Sequence, residues 1–492
     1  MALDNLRAFV GAIDAAGDLR RVTHPVSVDK EITEIADRCM KAAAGGPALL
    51  FERPTLLQGG PSRYPVAVNL FGSEKRMALA LGVPCLDEIG ARIATLLNVK
   101  VPDTLLGKLA MLPQLAEVAK FPPKTVGGRA PAQEIVVRDR DVDLSQFPIP
   151  VCWPEDGGAY ITLPGVITRD PKTGVRNVGM YRIQVIGANE LAMHWQRHKV
   201  GAAHWREMAA RGERMAVAIA LGGDPASIYA ATAPLPPTID EFLFAGFLRR
   251  EPVRLAKAIT CDLEVPAEAE LVLEGYVDPR EELVLEGPFG DHTGFYSLAD
   301  YYPKVHVTAV TMRSEPVWPH TIVGRPPMED YWLGHATERI FLPLLKLTLP
   351  EIVDLHMPAE GIFHNLVFVS IDKQYPGQAY KVMNGLWGQG LMSLAKVIIV
   401  LDKDVNVRDP KEAWWVALNH IDPERDVRFS MGPIDVLDHS SRGFTFGSKM
   451  GIDATRKWKE EGFTREWPGK IVMDEKTKAK VDAMWKDLGI EL

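Results

Sequence analysis

Cysteine is scarce in this chain. Only Cys39, Cys85, Cys152 and Cys261 occur in 492 residues, with no CxxC pair. That argues against a disulfide scaffold or a thiolate zinc site and fits a reducing compartment. Positive charge is also short: the formal net charge is −8 and no long basic run occurs, which argues against nucleic acid as a partner. The longer apolar runs, such as 215–221 and 397–401, fall far below the ~20 residues that span a bilayer. The first residues lack the basic-then-apolar pattern of a secretion signal. There is no internal repeat, no low-complexity segment and no GxGxxG fingerprint after a strand. These absences predict a soluble, cytoplasmic protein.

What is present is ordinary globular composition, 47% hydrophobic and 24% charged, at a length that suggests about three domains. Asp4 is placed to cap a helix with Leu6, Phe9, Val10 and Ile13 on one stripe, ended by Gly17. Residues 32–43 read as a helix stopped by Gly45-Gly46, 49–51 and 66–68 as short strands, and 75–81 and 85–97 as helices. The alternation predicts an α/β domain over 1–120. A Pro/Gly-rich linker runs over 121–131. Strands then dominate: 135–137, 160–169, 175–186, 191–196, 216–220, 254–263, 270–277 and 305–312, with one helix near 239–248. Many strands on short turns, such as Asp170 to Gly174, predict a barrel or sandwich over 121–325. After Gly324-Arg325-Pro326-Pro327, strand 366–371, helix 378–390 and strand 396–401 form a βαβ unit, so 326–492 is a second α/β domain with a parallel sheet. Residues 411–419 and 477–488 read as helices.

The stretch 176–198 reads as one β-hairpin turning at Gly187-Ala188-Asn189-Glu190. In that register Asn177 lies opposite Val200, with His198 one diagonal step away, and Arg182 lies opposite Trp195. An amide and an imidazole then meet at one end of a ribbon, with a guanidinium further along, which suits a metal beside an anion. Asn177 and Arg182 differ in parity, so sharing a site requires a bulge, expected at Gly179.

A second informative stretch runs from Glu286 through Gly287-Pro288-Phe289-Gly290 to Asp291. Two carboxylates held close differ in proton affinity, because charging both is costly; one can act as an acid while the other orients. An arginine between them would fix the geometry, and Arg182 is the candidate. The bland alternative is an acidic surface turn. Glu241 opens a helix and complements its dipole by default; the alternative is a metal ligand. Asn177, His198 and Glu241 would give a mixed nitrogen and oxygen set that suits Mn²⁺ or Mg²⁺. Of His194, His198 and His204, only His198 gains from the hairpin geometry. Gly447-Ser448-Lys449-Met450-Gly451 is a weak phosphate-loop match. Trp414-Trp415, Met383, Met392 and Met431 read as packing residues.

Several blocks fall in order along nearly the whole length: Asn177-Val-Gly-Met-Tyr-Arg182, Asp262-Leu-Glu-Val-Pro, Leu273-Glu-Gly-Tyr, Glu286-Gly-Pro-Phe-Gly-Asp291-His-Thr-Gly, Gly324-Arg-Pro-Pro and Gly447-Ser-Lys-Met-Gly-Ile-Asp-Ala-Thr455. On these the chain resembles the UbiD family of prenylated-FMN-dependent decarboxylases. Within it, the chain is most similar to the 4-hydroxy-3-polyprenylbenzoate decarboxylases (3-octaprenyl-4-hydroxybenzoate carboxy-lyases) of ubiquinone synthesis. The resemblance implies an α/β fold with a central split β-barrel of the flavin-reductase-like kind, flanked by N-terminal and C-terminal α/β domains, the last involved in homo-oligomers from dimer to hexamer. It implies Mn²⁺ (or Mg²⁺) on Asn177, His198 and Glu241, gripping the cofactor phosphate. It implies K⁺ on Val178, Ala230, Ala231, Ala233 and Glu241, and a catalytic network of Glu286, Arg182 and Asp291. Met180, Tyr181, Arg182, His194, Trp195, Gln196, His198, Lys199, Val200, Ala231 and Glu241 fall on its cofactor-binding stretches. The implied reaction is non-oxidative, reversible decarboxylation of an aromatic acid, with a flavin prenyltransferase supplying the cofactor. A polyprenyl substrate would add transient membrane contact. The alternatives are a decarboxylase of another arene or heteroarene acid (hydroxybenzoate, furoate), a flavin-binding reductase, or a non-catalytic carboxylase subunit.

Overall fold

The computed structural model describes residues 2–97, 121–197 and 199–490. His198 and the end of the expected N-terminal domain therefore lie outside the described residues. The helix Leu6–Ala15 buries Leu6, Phe9, Val10 and Ile13, as their spacing predicts. Its cap is Asn5, whose side-chain oxygen accepts from the Ala8 N–H at 2.9 Å. Asp4 instead pairs with Arg249 at 2.7 Å. Strands Leu19–Val22, Ala48–Phe51, Val66–Val68 and Trp318–His320 form a four-stranded sheet in that order. The last of these comes from far along the chain and pairs parallel to Val66–Val68.

Among the described residues, the largest sheet has nine strands. Eight follow one path: Arg176–Gly179, Pro164–Arg169, Met215–Gly222, Ala269–Val277, Lys304–Met312, Glu190–Met193, Ile183–Val185 and Tyr160–Ile161. Ile135–Arg138 adds to Lys304–Met312. Arg176–Gly179 lies at one end of this path and Ile183–Val185 next to the other. Only residues 180–182 join them, and four backbone steps reach at most ~14 Å. The sheet must therefore curl until its two ends nearly meet, a half-barrel with Met180-Tyr181-Arg182 strapped across the seam.

This geometry corrects the single-ribbon expectation for 175–186. Arg176–Gly179 pairs with Pro164–Arg169, placing Asn177 opposite Thr168 rather than Val200. Ile183–Val185 pairs with Glu190–Met193, Ile183 facing Met193. That is one residue from the expected register, so Arg182 meets His194, whose N–H reaches the Arg182 carbonyl at 3.4 Å, and not Trp195. Gly179 ends its strand instead of carrying a bulge. Parity no longer matters, because Asn177 lies in the strand at one end of the path and Arg182 in the strap that leads to the strand next to the other end. Val200 begins the helix Val200–Arg211, closed by Gly212 at φ 67°; its Ala, Glu, Met and Arg content favours helix. The stretch read as one strand over 254–263 holds the strand Arg254–Lys257, and a separate strand, Glu264–Pro266, follows it.

The C-terminal sheet has the order Ile352–His356, Leu366–Ile371, Val397–Asp402, Phe446–Asp453, Val427–Pro433. Leu366–Ile371 and Val397–Asp402 pair in parallel across the helix Gln378–Trp387, the expected βαβ unit. Gly447 to Gly451 lie inside the strand Phe446–Asp453, and Lys449 Nζ donates to the Ala395 carbonyl at 3.0 Å. This is a sheet strand, not a phosphate loop. Met383 is core, but Trp415 and Met431 are about half exposed (54% and 50%) and so do not serve the chain's own packing. No helix among the described residues is long and apolar enough to cross a membrane.

Candidate active site

The seam brings Arg182 between the two carboxylates of the Glu286–Asp291 turn. Arg182 Nε donates to Glu286 Oε1 at 2.8 Å and Nη2 to Oε2 at 3.0 Å, a bidentate fork. Nη1 donates to Asp291 Oδ2, and Nη2 also reaches Ser297 Oγ at 2.9 Å. The guanidinium lies over the Phe289 ring, 5.0 Å from its centroid. Glu286 is fully buried and takes a third hydrogen bond from His194 Nδ1 at 2.9 Å. Burial alone would raise its carboxyl, but the His194 and Arg182 hydrogen bonds outweigh this and bring it down to about 2. Burial and the Arg182 charge lower the His194 imidazole, so its Nδ1–H serves as a neutral donor. Asp291 Oδ1 accepts from the His292 N–H at 2.7 Å and from His292 Nδ1 at 2.9 Å. Burial opposes ionisation, yet the His292 hydrogen bond and Arg182 hold Asp291 well below the usual carboxylate range. The result is a buried carboxylate–guanidinium–carboxylate array, rigid enough to position a substrate carboxylate beside an acid.

The other side of the strap is a nest of oxygen donors. Glu241 opens the helix Glu241–Arg249, and its Oε2 accepts from the Val178 N–H at 2.7 Å. Asn177 is the preceding residue on the strand and is buried, its Nδ2 without a hydrogen-bond partner. Burial pushes the Glu241 carboxyl up to about 7, against the Val178 N–H bond and the Arg176 charge. The Ala231 carbonyl accepts from the Met180 N–H at 2.9 Å, while Ala230 and Ala233 carbonyls accept one backbone N–H each. Each keeps a lone pair for a monovalent cation. Tyr181 packs edge-on against Trp195 at 6.5 Å, and its hydroxyl accepts from the Gly201 N–H at 3.4 Å. Lys199 and Val200 stand at the start of the Val200–Arg211 helix. Trp195 Nε1 and His194 Nε2 are buried without partners, and Gln196 is half-buried at the same strand end. The orphaned Trp195 Nε1–H and Asn177 Nδ2 donors suit an anionic group, and the Asn177 and Glu241 oxygens suit a divalent cation. Asn177 to Arg182 is five backbone steps, at most ~18 Å.

His204 lies apart, buried against Thr168 Oγ1 at 3.0 Å. Another buried cluster with ligand-like spacing joins His335, Glu338 and His356. There Arg339 Nε already sits 3.3 Å from Glu338 Oε1, so the cluster is an ion-pair knot tying the helix Glu329–Thr348 to the strand Ile352–His356. Sequence reasoning missed Ser297, His292 and His364. His292 adjoins Asp291, which was a usable signal; Ser297 and His364 meet the site only through tertiary folding.

Comparison with known proteins shows the class: the chain is a carboxy-lyase, a decarboxylase. Three family models match the chain in order: the 3-octaprenyl-4-hydroxybenzoate carboxy-lyase N-terminal domain over 10–93, the Rift-related domain over 124–326 and the C-terminal domain over 331–454. The chain belongs to the UbiD family. It is 53% identical over 487 residues, 99% of each chain, to an uncharacterized protein of Aquifex aeolicus. Among solved structures it is similar to the UbiD-class enzyme HmfF of Pelotomaculum thermopropionicum in complex with FMN, at 30% identity and TM-score 0.78, covering 94% of this chain and 97% of that one. An evolved dimeric form of HmfF has been solved with prFMN. The closed form of vanillic acid decarboxylase from Sedimentibacter hydroxybenzoicus aligns at 27% identity and TM-score 0.83, covering 99% of both chains.

Proposed function

We propose that this enzyme decarboxylates an aromatic carboxylic acid non-oxidatively and reversibly, using prenylated FMN, Mn²⁺ (or Mg²⁺) and K⁺. The observation that carries the reading is Arg182 forked onto Glu286 and bonded to Asp291, five residues along the chain from Asn177 in a cation-ready nest. Asn177, Glu241 and His198 would hold the divalent ion against the flavin phosphate. Carbonyls of Val178, Ala230, Ala231 and Ala233, with Glu241, would hold K⁺. Met180, Tyr181, His194, Trp195, Gln196, Lys199 and Val200 would line the flavin. When bound, the flavin supplies an electron sink for the charge left on carbon as CO₂ departs. Arg182 receives and orients the substrate carboxylate, Glu286 and His194 fix the guanidinium plane, and Asp291 hands a proton to the carbon that has lost CO₂.

The substrate we favour first is 4-hydroxy-3-polyprenylbenzoate of ubiquinone synthesis. Exposed Phe295, Leu298 and Tyr301 (61%, 89% and 62%) follow the acid turn and would receive an apolar tail, with transient membrane contact by a cytoplasmic protein. A smaller hydroxybenzoate is the second reading, favoured by the likeness to vanillic acid decarboxylase. The curled sheet would be the flavin-binding split barrel within 121–325, between α/β domains over 1–120 and 326–492. Exposed Trp415, Phe429 and Met431 would join copies into a homo-oligomer. A flavin prenyltransferase would supply the cofactor. The test is the mass and absorbance of the flavin released after co-expression with such a prenyltransferase. Prenylated FMN and Mn²⁺ retained by the wild type and lost in Asn177→Ala and Glu241→Ala would support the reading. Unmodified FMN, or no flavin beside a working prenyltransferase, would overturn it. A CO₂-release screen with prenylated and unprenylated hydroxybenzoates then separates the two substrates.

A further inference from the structure

One face of the C-terminal sheet is covered by the helix Gln378–Trp387, whose Val382, Met383 and Leu386 share a core with Val367, Val369 and Ile398. The other face is only half covered. One row of side chains across it is Phe368, Ile399, Ile452 and Val427, each opposite the next. That row lies under the helix Pro410–His420. Ala413, Val416 and Ala417 of the helix share its core, and Trp414 meets the Phe368 ring at 5.6 Å. Two residues along each strand, and so on the same face, is a second row: Leu366, Val397, Met450 and Phe429. Leu366, Val397 and Met450 are half-buried, Phe429 is 76% exposed, and Met431 and Phe446 beyond it are about half exposed. A sheet face this apolar is built to carry a helix, and over the second row the chain's own helix falls short.

The same chain carries a helix that is short of a sheet. Trp467 stacks on Phe463 at 4.5 Å, and Lys470 Nζ lies 3.4 Å from Glu412 Oε1, which ties the chain down as far as Lys470. Ile471, Val472 and Met473 follow, all exposed. The helix Glu475–Met484 comes next, capped by Asp474, whose Oδ1 accepts from the Thr477 N–H at 2.9 Å. None of its residues is buried. Val481, Met484, Trp485 and Leu488 recur at i, i+3, i+4 and i+7 as one apolar stripe, and Trp485 and Leu488 are exposed. A helix of this length is below the ~12–15 residues at which an isolated helix holds in water, so it needs a surface to lie on.

We propose that residues 471–490 form an arm that crosses to a second copy of this chain and lays the Glu475–Met484 helix on that copy's bare half-face, each copy giving its arm to the other. This rests on the reading of the protein as a homo-oligomer. One chain supplies one spare helix and one uncovered strip, so a two-fold exchange uses both and leaves neither open. The chain's own arm does not fill the place, since Phe429 stays bare. Along the strip Met431 lies opposite Ser448 and Pro433 opposite Phe446, uncharged positions that suit the centre of an interface. Phe429, Met431 and Phe446, with Trp415 and Leu418 of the neighbouring helix, are half to three-quarters exposed. On side chains of ~150–250 Å² this is roughly 600 Å² of face, and the exposed apolar side chains of the arm offer about as much. Exchange in both directions removes on the order of 2,400 Å² from water, within the range of obligate homodimers.

The experiment uses the full-length chain. Sedimentation velocity of the wild type is expected to show dimers or a multiple of them. Phe429→Glu on the face and Leu488→Glu on the arm are each expected to weaken self-association ~30-fold or more, with an unchanged circular dichroism spectrum. Both positions are exposed, so neither substitution enters the chain's own core. In a second measurement Phe429 is replaced by the photo-crosslinking residue p-benzoylphenylalanine. Illumination is expected to give a species of two chains on a denaturing gel, with peptides from 471–490 joined to position 429. Arm peptides captured within a single chain, or capture of other peptides only, would overturn the exchange. A wild-type oligomer indifferent to both glutamate substitutions would overturn it and leave the homo-oligomer reading standing. A monomeric wild type would overturn both.

Discussion

Substituting Glu286 by glutamine tests whether the Arg182 fork is an energetic keystone. The side chain keeps its shape but loses its charge, and its amide N–H groups face the donors of Arg182 and His194. Breaking a fully buried ion pair on one side costs about 3–5 kcal/mol. Proton linkage gives a separate value. The carboxyl falls from 4.5 to about 2 on folding, and ~1.4 kcal/mol per unit makes this roughly 3 kcal/mol at neutral pH. Because the folded pKa is depressed, that stability is fully present above the unfolded value and is lost as pH falls toward the folded one. Glu286→Gln is therefore expected to lower stability by roughly 3–5 kcal/mol near neutrality, or Tm by roughly 6–20 °C. The gap to the wild type should shrink to less than half by about pH 3. Guanidinium unfolding at a series of pH values, followed by tryptophan fluorescence, measures both quantities. A gap below about 1 kcal/mol at neutral pH, or one that does not change with pH, would refute the reasoning.

Asp291→Asn leaves the bidentate Glu286 contact intact, so it should fold and retain flavin while losing ~10²–10⁴-fold in turnover; CO₂ release checks it. Arg182→Lys keeps the charge but cannot fork, and a fall of ~100-fold in kcat/KM with an unchanged circular dichroism spectrum is expected. Gly179→Val places a Cβ 2.3 Å from the Tyr181 hydroxyl. Tyr181 is packed on Trp195, so the clash should cost ~1–3 kcal/mol, read as a lower Tm together with weaker flavin retention.

Much of the architecture was legible because it is written in local periodicity. The stripe Leu6, Phe9, Val10 and Ile13, and the βαβ unit from Leu366 to Asp402, fold as their patterns require. The grouping of Arg182 with Glu286 and Asp291 was also readable, since a guanidinium and two carboxylates attract wherever the backbone permits. What failed was register and continuity. The β-rich run from Val175 to Ile186 satisfies strand propensity throughout, so nothing local marks the point at Gly179 where the chain changes partners. The one-residue slip at Ile183 put Trp195 where His194 stands, because alternation fixes a face but not the loop that sets the pairing. His364 was out of reach altogether: it lies 72 residues from His292, and their ring nitrogens meet at 3.1 Å only in the folded chain.

The strap over 180–182 behaves as a linkage without slack. Each residue is tied to a different element: Met180 to the Ala231 carbonyl, Tyr181 to the N–H of Gly201, Arg182 to His194 and the acid turn. The cation nest and the acid array are in this sense two ends of one short lever. The Glu241–Arg249 helix holds one end of it through the bond from the Val178 N–H to Glu241 Oε2. Three residues of backbone thus separate the Val178 end, bonded to Glu241, from the guanidinium bonded to Glu286 and Asp291.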